Sequence, residues 1–204
     1  MRRQPVYILI DSSISMAGKP IKEFEDLIKT YINSLRQDPF AIELVYLSII
    51  LYSSKGVTQL LKLNSIYSLD LDFELQCSGK SDFQIGIDFL IKEIKRTQIS
   101  NTTIKKGDYK PMVIVLTGVV NTFELKNDDL IFLNNNVGFG WNYECERSVL
   151  GMEIKNEQSK NSTVKIIVYN NEYVFKYYSR FFSDVSFLSE SSNNKLLEHF
   201  KFVS

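Results

Sequence analysis

At 204 residues, with 24 Lys and Arg against 24 Asp and Glu, the chain is long enough to bury a sizeable core and carries no formal net charge. That balance argues against a general nucleic-acid binder, whose affinity rests on an excess of cations near phosphates. Two cysteines, Cys77 and Cys145, give neither a disulfide framework nor a CxxC metal site, and no apolar run is long enough to span a bilayer.

In chain order, Arg2 and Arg3 lead into the short apolar run Val6–Ile10. The run meets Asp11 too soon for a signal peptide, so the expected location is the cytoplasm, with both thiols reduced. A continuous apolar run of this kind reads as a strand buried on both faces of a parallel sheet. The turn that leaves it is Asp11-Ser12-Ser13-Ile14-Ser15, a carboxylate and hydroxyls in D-x-S-x-S spacing. Oxygen donors so arranged suit a hard cation such as Mg²⁺.

Pro20 suits the first turn of a helix, and Ile21, Phe24, Ile28, Ile32 and Leu35 follow at helical spacing. Pro39 is expected to stop it. Ile42–Tyr52 reads as a strand, and the Ser53–Gly56 turn leads to Val57–Leu63 as an antiparallel hairpin partner. Ser78-Gly79-Lys80 breaks the chain. Ser81-Asp82-Phe83-Gln84 has the form of a capping box, which puts Ser81 at the cap of a helix whose stripe is Phe83, Ile87, Leu90, Ile91 and Ile94.

Lys105-Lys106, close to Asp108, reads as a solvated loop before Pro111. Met112–Leu116 is another apolar strand, after which Thr117 reads as a structural strand-end residue. Phe123–Lys160 reads as a long irregular excursion, in which Phe139, Trp141 and Tyr143 either pin the loop or form an interaction knob. Val164–Tyr169 and Val185–Leu188 read as strands, with helices expected at Glu172–Phe182 and from Ser191 or Ser192 to Val203.

Strands alternating with helices imply a βαβ arrangement and a mostly parallel sheet covered on both faces. Ligands bind such sheets beyond the carboxyl ends of the strands, the edge where Asp11, Ser81 and Thr117 are expected to meet. Two enzymatic readings fail on single residues. Gly79-Lys80-Ser81 mimics the end of a P-loop, but the first glycine of that motif would fall on Glu74. An aspartyl phosphotransfer site would want a second Asp at position 13, which is Ser13. His199 is the only histidine and reads as exposed.

Four stretches resemble a von Willebrand factor A domain of the bacterial TerY-like branch, associated with tellurite resistance. They are Ile10–Met16 with Gly18 and Pro20, Leu35–Ala41, Gly107–Pro111 before Met112–Thr117, and Phe200–Ser204. The resemblance covers about Val6–Thr117 well, Val164–Ser204 moderately and the excursion poorly. It implies a single domain over 1–204, with an inserted segment at about 123–162. The implied fold is a Rossmann-like three-layer α/β fold with a mostly parallel sheet, one antiparallel edge strand and helices on both faces.

The resemblance also implies a metal-ion-dependent adhesion site. Asp11, Ser13 and Ser15 correspond to the family's first loop, and Ser81 to the threonine before its second helix. Mg²⁺ held there would accept an oxygen from an acidic protein partner. The family's last participant is an aspartate after the fourth strand, and here that position is Gly118. Ile14 replaces the glycine usual between the two serines. Losing one carboxylate lowers the expected metal affinity by about two orders of magnitude. The expectation is a non-enzymatic docking module in a stress-response or defence setting. A metal-independent scaffold is the alternative, and a Mg²⁺-dependent hydrolase ranks below both.

Overall fold

The computed structural model describes residues 2–104, 106–118, 126–137, 161–169, 176, 179 and 182–188. Its centre is β1 (Gln4–Asp11), in which all eight residues are buried. Side chains alternate across a strand. Val6, Ile8 and Ile10 accordingly enter one core with α1 (Lys19–Gln37), and Tyr7 and Leu9 enter a second with α3 (Phe83–Thr97). The second core also takes Leu133 from α4 (Asn127–Asn136).

Six strands form one sheet in the order β3-β2-β1-β4-β5-β6. β2 (Val45–Ser53), β4 (Met112–Thr117), β5 (Asn161–Tyr169) and β6 (Phe182–Leu188) continue the parallel pairing begun at β1. Among the described residues only β3 (Gly56–Ser65) runs antiparallel, at one edge, as expected for the fold class. The order turns back at β1, so β1 and β4 flank the switch point where such sheets open a crevice.

Both predicted helical stripes are buried as read, and α1 adds Leu27 and Tyr31 to its face. Four local expectations are corrected. Pro39 ends α1 but also begins a second helix, α2 (Pro39–Leu44), because the Asp38 carboxylate accepts from the N–H groups of Phe40 and Ala41. Ile42–Leu44, read as strand, is therefore helical. The cap of α3 falls on Asp82, which accepts from Ile85 N–H, and not on Ser81. The excursion after β4 contains α4 rather than irregular chain throughout. Phe182, expected to end a helix, opens β6. The aromatic trio around Trp141, the final helix, Cys145 and His199 lie outside the described residues.

One element was missed. Leu69–Ser78 is extended without a strand partner. It turns Leu69, Leu71, Phe73, Leu75 and Cys77 toward the α1 core while Asp70, Asp72, Glu74, Gln76 and Ser78 face solvent. Side chains of α1 hold its backbone, through Glu25 accepting from Leu75 N–H and Arg36 donating to the carbonyls of Ile66 and Leu69.

On β3 the pairing with β2 shifts register twice, beside Ile49 and Leu47. A polar network sits there. Ser48 Oγ donates to the Leu61 carbonyl, and Gln59 donates to Ser48 and to Glu93, which Arg96 also grips through two hydrogen bonds. Burial pushes the Glu93 carboxyl up, but the bonds from Arg96 and Gln59 outweigh it and hold its pKa below the ordinary value.

Two outcomes follow from this packing. A Cβ on Gly86 would meet the Tyr52 ring at 2.9 Å, and overpacking of about 1–3 kcal/mol exceeds the gain in helix propensity of about 1 kcal/mol. Gly86→Ala should destabilise by up to about 2 kcal/mol in urea unfolding. Glu93 adds stability that is present above the ordinary glutamate pKa of about 4.3 and lost as pH falls through its lower folded value. Glu93→Gln should flatten the acid limb of the stability–pH curve.

Candidate functional site

β1 ends at the surface edge of the sheet with its last side chain still on the α3 face. That side chain is the carboxylate of Asp11, which is fully buried. Buried charge must be matched by hydrogen bonds. Asp11 Oδ1 accepts from Ser13 N–H at 2.9 Å, and Oδ2 accepts from Ser81 Oγ at 2.7 Å and from Thr117 Oγ1 at 3.3 Å. The loop after β1, the lead into α3 and the end of β4 are thus joined at one carboxylate.

Ser13 and Ser15 complete the cluster, their hydroxyls 2.7 Å apart. Ser13 is buried and Ser15 is exposed, so the pair runs from the interior to solvent. A short 3-10 turn over Ile14–Met16 sets their spacing. Ser12, which the D-x-S-x-S pattern skips, turns away and donates to the Tyr52 carbonyl at 3.0 Å.

The loop is held from outside by residues 78–80. Ser78 N–H donates to the Ser12 carbonyl at 2.7 Å, and Ile14 N–H to the Gly79 carbonyl at 2.9 Å. Gly79 has φ of +67° and lies against the hairpin tip, where a Cβ would come within 2.8 Å of Ser54 Oγ. Only glycine serves this position without strain.

The structure brings Asp11 together with Ser81 and Thr117, and Ser13 with Ser15. Thr117, read as a structural strand-end residue, donates to Asp11 from that position. Its place in T-G after an apolar strand was the available signal. Gly118 forms a half-exposed bend beside it.

The donor set is all oxygen, one carboxylate and four hydroxyls, and by chemistry it fits a hard divalent cation. In charge it falls one carboxylate short. Among the described residues no group of three or more His, Cys, Asp or Glu is assembled. Burial, and after it the nearby Asp11 charge, push the Cys77 thiol pKa up.

Solved structures with the same architecture include the von Willebrand factor A domain of SpRpn10. It is 14% identical, with a TM-score of 0.53, over 97% of this chain and 95% of that one. A von Willebrand factor type A protein from Catenulispora acidiphila matches with a TM-score of 0.58 at 11% identity, over 98% and 41%. The ArnB paralog VWA2 from Sulfolobus acidocaldarius matches with a TM-score of 0.52 at 14% identity, over 96% and 43%. The chain spans under half the length of these last two. No family model and no curated protein matches the sequence. The likeness is one of fold, and the fold is that of von Willebrand factor A domains.

Asp11→Ala would remove the acceptor of three hydrogen bonds, from Ser13 N–H, Ser81 Oγ and Thr117 Oγ1. At about 1 kcal/mol net per hydrogen bond, eased by water at half-exposed Ser81, the expected loss is about 2 kcal/mol in thermal unfolding.

Proposed function

We propose that this von Willebrand factor A fold serves as a non-enzymatic, cytoplasmic docking module for an acidic protein partner. The observation that carries the reading is the convergence of Asp11, Ser13, Ser15, Ser81 and Thr117 at the switch point of the sheet. Mg²⁺ would be held by Asp11, Ser13, Ser15 and Ser81. When bound, it supplies a coordination position for a carboxylate oxygen from a partner's Asp or Glu. Thr117 and the Ser13 amide fix the orientation of the Asp11 carboxylate. The resemblance to the TerY-like branch supports a tellurite-resistance, stress-response or defence setting.

A non-enzymatic role is favoured by the groups around Asp11. Among the described residues the hydrogen-bond partners given for Asp11 are hydroxyls and a main-chain amide, which orient and donate but do not act as a general base near neutral pH. One observation favours metal-independent docking as a second reading. The Asp11 carboxylate already accepts three hydrogen bonds, and Gly118 brings no second charge.

Calorimetric titration of Mg²⁺ and Mn²⁺ separates the two. The expected result is saturable binding near millimolar metal, lost in Asp11→Ala. A restored charge about 4 Å from the ion is worth about 4 kcal/mol per unit charge at an effective dielectric of about 20, part of it offset by desolvation. Gly118→Asp should therefore tighten binding by about tenfold to a hundredfold. A wild-type protein that takes up no metal, yet recovers the same partner from lysate as Asp11→Ala does, would replace the metal reading with the metal-independent one.

A further inference from the structure

The carboxyl edge carries a second feature that the candidate metal ligands do not use. Residues 78–80 lie in a seam, bonded on one side to the loop after β1 and on the other to the hairpin tip. On the hairpin side Ser54 N–H donates to the Lys80 carbonyl at 2.7 Å, and Lys80 N–H donates to Ser54 Oγ at 2.9 Å. A Cβ on Gly79 would sit 2.9 Å from Lys55 Cγ. Lys55 and Lys80 therefore rise from neighbouring backbone positions. Both are exposed, and among the described residues neither ammonium has an ion-pair partner.

Beside the seam lies a cleft of about 470 Å³ on the hairpin side of the same loop, its walls including Ser12, Ser53, Lys55, Thr58, Glu74 and Ser78. This volume lies within the range of ligand clefts. Glu74 places one carboxylate there, against the two unpaired ammonium groups at the seam. On the loop itself Ile14 is 65% exposed, although its main chain is pinned to Gly79. A large apolar side chain held out on a fixed backbone can be covered by a partner with little further ordering.

We propose that the seam is the second half of the docking face, and that its occupant is an acidic segment of a protein partner. This rests on docking at the carboxyl edge as read above, and extends it. One partner carboxylate meets the Asp11 loop, a second is held by Lys55 and Lys80, and an apolar side chain between them covers Ile14. Charge complementarity selects this occupant, since Lys55 and Lys80, without an ion-pair partner among the described residues, stand exposed beside the hydroxyls of Ser13, Ser15 and Ser81 at the carboxyl edge.

The test is fluorescence anisotropy with a labelled Glu-Glu-Leu-Glu-Glu-Leu-Glu-Glu peptide, and its Gln-for-Glu counterpart as control, in Mg²⁺ and in EDTA. The proteins are wild type, the Lys55→Glu/Lys80→Glu double variant, Asp11→Ala, and Lys62→Glu/Lys92→Glu as an equal charge change at exposed sites away from the seam. Surface substitutions of this kind leave the fold intact, and unchanged unfolding midpoints verify it. The expected result is peptide binding that weakens about tenfold in Lys55→Glu/Lys80→Glu and less than about twofold in the control variant, with a salt dependence that the seam substitutions reduce. Equal weakening in the two lysine variants, or no binding to wild type, overturns the proposal. If binding depends on Mg²⁺ and Asp11 but not on the seam, metal docking stands and the proposal falls. If it depends on the seam but not on Mg²⁺ or Asp11, the proposal stands and metal docking falls.

Discussion

A carboxylate that is fully buried at the end of a central strand must be matched on every side, and Asp11 is matched by three different parts of the chain. A single such group does what many apolar contacts cannot. Hydrophobic burial is non-directional and tolerates sliding, whereas hydrogen bonds to one carboxylate fix where each loop ends to within a few tenths of an ångström. The cores on the two faces of β1 place the strands, and Asp11 places the loops that leave them.

The seam at 78–80 carries that order outward. Its main chain is bonded to the loop after β1 and to the hairpin tip, while the extended segment before it is held to α1 by Glu25 and Arg36. The partnerless segment Leu69–Ser78 is therefore a measured strap. It begins at the amino-terminal end of the sheet after β3, crosses the α1 core with alternate side chains inward, and delivers Gly79 to the hairpin tip, where a Cβ would collide with Ser54. The geometry at the strand ends thus depends on a stretch that has no strand partner of its own.

The sheet was legible because buried parallel strands read as unbroken apolar runs, as in Val6–Ile10 of β1 and Met112–Leu116 of β4. Asp11, Ser13 and Ser15 stood out because a carboxylate and hydroxyls interrupt that pattern at once. What the sequence hid were cases in which one residue type serves two ends. Pro39 stops one helix and starts another, and Asp38 decides which by capping. Ser81 and Asp82 are both good caps. Asp82 takes the helix, while Ser81 donates to Asp11, a choice made by tertiary contact and not by spacing. Thr117 was placed at the right edge by its strand, but its bond to Asp11, more than a hundred positions away, is a tertiary contact that no local pattern reports. The asparagine-rich α4 has a weak apolar stripe, so periodicity had little to detect. The period-two run from Leu69 to Ser78 was visible, but such a run predicts a paired strand, and this one packs without a ladder.

The register shifts on β3 bear on how the molecule meets its neighbours. Each one crowds an extra residue onto the edge strand, breaks the even spacing of its outward main-chain groups, and twists it locally. Lys62 stands exposed in the same stretch. A flat, evenly spaced edge would invite any extended chain to add itself as a seventh strand, whatever its side chains. This edge offers no such template. Main-chain pairing at this edge is thereby disfavoured, whatever side chains the incoming chain carries.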